Sequence, residues 1–156
     1  MVVVADTSPL NYLLLIGEQN ILHALYGSVI VPTQVAEELR RDRAPELVRS
    51  WAKHLPAWVE VKSAETSDFP RLDAGEAAAL WLALQERASF LLADDMRARL
   101  AAEDAGLVSI GTIGILGAAH NSGLIDFDTA VERLRKTSFR IGDEVVEIVR
   151  STILRR

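Results

Sequence analysis

The sequence predicts an α/β protein with a central parallel sheet covered by helices on both faces. Three observations carry this: short apolar, β-branched runs recur along the chain, helical periodicity fills the intervals between them, and two of the runs end in aspartate. With 156 residues the chain is long enough to bury roughly 70% of its unfolded surface in one core without staples. A hydrophobic content of 49% and a charged content of 25% suit a globular protein rather than a disordered chain or a coiled coil.

The elements follow in order. Val2-Val3-Val4-Ala5 is the first strand, β-branched as strands buried on both faces are, and Asp6 leaves its carboxyl end. Thr7-Ser8-Pro9 is helix-start chemistry, with a hydroxyl cap and a proline in the first turn. Residues 10–16 and 21–26 read as two apolar-faced helices broken at Gly17, and residues 28–31 as a second strand ended by Pro32. Residues 33–39 continue as a helix with Val35, Ala36 and Leu39 on its apolar stripe; Glu38, three residues after Val35, leans inward, whereas Glu37 faces solvent. Ala44-Pro45 opens a helix through Trp51, and residues 58–62 alternate apolar and polar like a half-exposed strand.

After a polar connection over residues 63–71, Asp73 as N-cap and Glu76 three positions on form a capping box for a helix through Leu84. Residues 89–93 make a fully apolar strand ending in Asp94-Asp95; a helix over 96–105 stops at Gly106, and residues 107–110 form another buried strand. Thr112 is read as the cap of an apolar helix running to about Ser122, and amphipathic helices over about 126–136 and 144–154 finish the chain. Gly111, Gly114 and Gly117, spaced by three without a following lysine, indicate close helix packing rather than a phosphate loop.

Composition also bounds function. The absence of cysteine excludes disulfides, thiolate zinc sites and a cysteine nucleophile, and fits a reducing, cytoplasmic setting. The N-terminal apolar run lacks a basic flank and contains Asp6 and Asn11, which argues against a signal peptide, and no run reaches the about 18 apolar residues of a membrane span. A net charge of −5 argues against holding nucleic acid by bulk electrostatics, while leaving room for local basic patches.

The chemistry lies in the acids. In open parallel sheets the crevice beyond the strands' carboxyl ends collects ligands. Asp6 and Asp94-Asp95 end two strands there, and Glu38 and Glu76 lie on helices that begin beside the same edge. Clustered carboxylates repel one another unless a cation occupies the site, and magnesium binds through one or two carboxylates while leaving positions for water and phosphate. Each residue also has a plainer role available: a helix cap for Asp6 and for one of Asp94 and Asp95, a solvated charge for Glu38, the capping box for Glu76. Arg40, Arg41 and Arg43 follow Glu38, and Arg97 and Arg99 follow Asp95; they either hold a nucleic-acid backbone or face solvent. Thr7 and Ser8 either donate to a phosphate or metal-bound water, or cap the helix; His23, His54 and His120 show no ligand spacing.

The ordered set V-A-D-T-S-P-L, V-P-x-x-V-x-E-E-L, L-D-A-G-E-A-A-A-L, L-L-A-D-D-M-R-A-R and I-G-T-I-G-I-L, from Val2 to about Leu124, resembles a prokaryotic branch of the PIN-domain family. The resemblance implies an α/β/α sandwich with a parallel sheet, a Mg2+ or Mn2+ site built from acidic residues, and endoribonuclease activity on RNA. It also implies a VapC-like toxin paired with a small antitoxin, and a homodimer, for which the apolar helix faces between Leu10 and Leu25 are one candidate surface and core the other reading. By motif, Asp6, Glu38 and Glu76 are the first three metal ligands and Asp94 or Asp95 the fourth; Glu76 stands where many relatives carry aspartate. Two rivals remain: a non-catalytic RNA- or protein-binding regulatory module on the same fold, and a haloacid-dehalogenase-like phosphatase. Against the latter, Asp6-Thr7-Ser8 lacks the second aspartate two residues after the nucleophile.

Overall fold

A computed structural model describes residues 1–154. Five parallel strands form one sheet, β1 (Val3–Ala5), β2 (Val29–Pro32), β3 (Val59–Lys62), β4 (Phe90–Leu92) and β5 (Ser109–Ile110), in the order β3-β2-β1-β4-β5. Between and after them lie α1 (Thr7–Leu15), α2 (Asn20–Tyr26), α3 (Thr33–Arg40), α4 (Glu46–Lys53), α5 (Ala74–Gln85), α6 (Met96–Asp104), α7 (Thr112–Asn121), α8 (Phe127–Arg135) and α9 (Asp143–Leu154).

The period of two along the strands sorts the core into two layers. Val3, Ala5, Val29, Val31 and Leu92 point into a cluster with α1, α2, α3, α4 and α7 to α9; Val4, Ile30, Leu91 and Ala93 point the other way, against α5 and α6. The expected α/β/α sandwich is the observed one. Leu10, Leu13, Leu14 and Leu22 are buried in the first layer, so those helix faces are core and do not supply a dimer surface. The alternating segment read as half-exposed is edge strand β3, where Val59 is buried and Glu60 and Val61 are exposed. Among the described residues no helix is long and apolar enough to cross a membrane.

From β1 the chain winds outward through β2 to β3, then returns to lay β4 on the other side of β1 and β5 beyond it. The winding reverses between β1 and β4, so their carboxyl ends open a crevice. Val3, Val4 and Ala5 lie in register with Phe90, Leu91 and Leu92, and Asp6 N donates to Leu92 O at 2.9 Å, which brings Asp6 and the Asp94-Asp95 pair to the two lips of that crevice.

Candidate active site

Asp6 follows a strand with no exposure to water, and its carboxylate remains buried at 6% exposure. Its Oδ1 accepts from Thr7 N at 2.7 Å, so Asp6 itself is the N-cap of α1. The expectation that a Thr7 or Ser8 hydroxyl caps this helix is corrected: both lie inside the first turn and spend their hydroxyls on other acids. Burial pushes the Asp6 carboxyl up to about 7, the Thr7 amide opposes this, and the charges of Glu76, Asp73 and Glu38 add to the rise.

Glu38 does turn inward from α3: Thr7 Oγ1 donates to its Oε2 in a short hydrogen bond. The first turn of α5 passes over this pair. A Cβ on Gly75 would stand 3.1 and 3.3 Å from the Glu38 oxygens and 3.4 Å from Asp6 Oδ1, a contact that leaves no slack for a side chain. The next residue, Glu76, is buried and forms the predicted capping box: Glu76 N donates to Asp73 Oδ1 at 2.8 Å, and Asp73 N donates to Glu76 Oε1 at 3.1 Å. Capping thus occupies one Glu76 oxygen. Burial raises the Glu76 pKa, the Asp73 amide opposes it, the charges of Asp73 and Asp95 raise it further, and Arg97 pulls it back.

The doubled aspartate divides its work. Asp95 caps α6, its Oδ1 accepting from Arg97 N at 2.9 Å. Asp94 turns to the opposite side, where its Oδ2 accepts from Ser8 Oγ and Thr112 Oγ1, each at 2.7 Å, and its Oδ1 accepts from Thr112 N at 2.7 Å. The expectation that Thr112 caps its own helix is therefore corrected. Gly111 is the N-cap, with no side chain to offer, and the Asp94 carboxylate satisfies the N-terminus of α7 from outside, where the helix dipole favours an anion.

Glu76, Asp94 and Asp95 line a cleft of about 760 Å³ together with Ser8 and Arg99. Of the basic residues singled out in the sequence, Arg99 reaches this cleft. Arg97 sits outside its lining and pairs with Asp95 at 3.4 Å, Arg40 Nε is tied to Ala52 O at 3.0 Å, and Arg41 and Arg43 are exposed at the end of α3. Sequence reasoning missed Asp73 as a charge acting on Asp6, Gly75 as the roof of the carboxylate pair, and Tyr12, Ser138, Phe139 and Arg140 in the cleft wall. Tyr12, one turn after Ser8 on α1, was legible by helical spacing; the 138–140 segment arrives from the far end of the chain and gave no signal. Of the histidines, His23 stacks on Trp58 at 5.7 Å, and His120 Nδ1 accepts from Phe127 N at 3.0 Å.

A parallel sheet whose switch point gathers carboxylates above one crevice defines the class, an open α/β fold with an acidic ligand crevice. The particular family follows from comparison: a family model described as a PIN domain matches residues 2–154, and the chain belongs to the PIN-domain family. Searches of curated proteins and of solved structures returned no match.

Proposed function

We propose that this PIN-domain protein is a metal-dependent endoribonuclease. The observation that carries the reading is the crowding at Asp6, a buried carboxylate pushed up to about 7 with Glu76, Asp73 and Glu38 adding to the effect of burial. Such a cluster is short of positive charge. Asp6 and Glu38 meet beneath Gly75, and two carboxylates are the donor set magnesium uses when it keeps its waters and takes a substrate phosphate. Mg2+ or Mn2+ would be held there, with Glu76, Asp94 and Asp95 completing the acidic surface. The chemistry such an ion supplies is neutralisation of phosphate charge and acidification of water. The chain's own part is to hold Asp6 through the Thr7 amide, Glu38 through the Thr7 hydroxyl, and the two lips of the crevice together through Ser8 and Asp94. Hydrolysis leaves a 5′-phosphate and a 3′-hydroxyl.

The second reading, a binding module without turnover, is favoured by two observations. Glu76 is engaged by its capping box, and among the described residues no three acidic or histidine side chains form a ready-made metal cage. Incubation with unstructured RNA in magnesium, manganese or EDTA decides between them. The nuclease reading predicts cleavage only with metal, and a loss of about 100-fold or more in Asp6→Asn. Undiminished cleavage by Asp6→Asn removes Asp6 from the mechanism, and binding without cleavage in any metal establishes the module. A toxin role, with a small antitoxin as partner, and a homodimer belong to the same proposal; the neighbouring open reading frame and the mass in solution test them.

A further inference from the structure

The cleft beside the acidic pair contains two guanidinium groups, those of Arg99 and Arg140, that form no ion pair among the described residues, although Arg99 Nη1 and Asp94 Oδ1 both stand against Gly111. Arg99 gives its Nε to Ser109 Oγ at 3.2 Å, and Arg140 makes no hydrogen bond or ion pair among the described residues, in contrast to Arg97 and Arg150, which pair with Asp95 and Asp128. The same cleft is walled by two aromatic rings. Tyr12 and Phe139 meet edge to face at 4.9 Å, and the Tyr12 hydroxyl lies 3.0 Å from Ser138 Oγ, which fixes the 138–140 segment against α1. Tyr12 follows Ser8 by four residues, and Ser8 Oγ holds Asp94, so the aromatic wall begins about 6 Å along the α1 axis from the acidic end. The volume of about 760 Å³ falls within the about 300–1,000 Å³ of ligand pockets.

These features select a ligand with both an anion and a flat apolar face. Guanidinium forks match phosphate oxygens, and aromatic side chains stack on unpaired bases with little regard to sequence. We propose that this cleft is the subsite for a nucleotide of single-stranded RNA flanking the scissile phosphate, its own phosphate on Arg99 and Arg140 and its base against Phe139 and Tyr12. The inference rests on RNA being the ligand of the acidic site. It assigns no role to Arg40 or Arg41, which lie outside this cleft.

The test is binding of a fluorescein-labelled short oligoadenylate, read by fluorescence anisotropy in EDTA across a salt series, with Asp6→Asn as the cleavage-deficient parent. Arg99→Gln and Arg140→Gln in that parent each weaken binding and reduce the slope of log affinity against log salt by about 0.7, one single-strand phosphate contact apiece. Phe139→Leu keeps an apolar residue and loses the flat face; affinity falls roughly tenfold with the slope unchanged. Arg41→Gln binds like the parent. Circular dichroism of each variant separates a lost contact from a lost fold. The subsite is overturned if the parent binds no oligoadenylate, if the folded Arg99 and Arg140 variants bind as tightly as the parent, or if a duplex binds as well as the single strand. Binding that responds as described, without cleavage by the wild type, sinks the nuclease reading and leaves the subsite standing; wild-type cleavage that Arg99→Gln and Arg140→Gln, made in the otherwise unaltered protein, leave unchanged does the reverse.

Discussion

At Asp6 the needs of the site oppose the stability of the fold. An ordinary aspartate titrates near 3.8, whereas burial and neighbouring carboxylates push this one up to about 7, so the native state holds its proton more tightly than the unfolded chain. The stability associated with protonated Asp6 is complete below about 3.8 and is lost as pH rises through about 7. In EDTA the wild type therefore loses stability relative to Asp6→Asn as pH rises, by about 2 kcal/mol between pH 5.5 and 8. Urea unfolding of the two proteins at both values measures this, since carboxylates not coupled to Asp6 cancel in the difference. A constant difference would mean that Asp6 is not crowded. Asp94 illustrates the opposite arrangement: three donors converge on one carboxylate, and its charge caps a helix whose own N-cap is glycine. That partnership spans residues 94 and 112 through space, which is why the sequence suggested a self-capping Thr112 instead.

Among the elements, α1, α6, α7 and α9 each give two residues to the cleft lining, and α5 gives Glu76. Gly117 of α7 lets α9 approach so closely that a Cβ there would stand 2.6 Å from Val149 Cγ1, a stiff β-branched atom that cannot turn away cheaply. Gly117→Ala gains about 1 kcal/mol in helix propensity and loses more to overpacking, for a net destabilisation of about 1–2 kcal/mol. Denaturant unfolding checks it; a more stable variant would show that α9 is not seated on this glycine. The glycine spacing was readable as packing, but its partner, some thirty residues on, was not. The same division holds throughout. Every strand and helix was visible in the periodicity, with ends displaced by a few residues at most positions, because apolar spacing is local. Strand order, the roof at Gly75 and the cleft wall at residues 138–140 depend on contacts between distant segments, and no spacing encodes them. Arg40 likewise stands close to Glu38 in sequence, while its Nε donates to the α4 backbone at Ala52 O, a contact between distant segments.

For the whole molecule, the order β3-β2-β1-β4-β5 converts a local pattern into a site. Strands end in acids at two places in the sequence, and the reversal of winding between β1 and β4 makes those places neighbours. The two core layers pack against opposite faces of the strands that carry that register. A ligand that binds only the native state raises its stability by mass action, and the divalent cation proposed for the crevice would do so through Asp6. The decisive measurement is a set of thermal melts of the wild type and Asp6→Asn at pH 8 in EDTA, magnesium and manganese. Metal is expected to raise the melting temperature of the wild type alone, and in EDTA the variant melts higher than the wild type. Equal responses of both proteins to metal, or no response from either, would contradict that expectation.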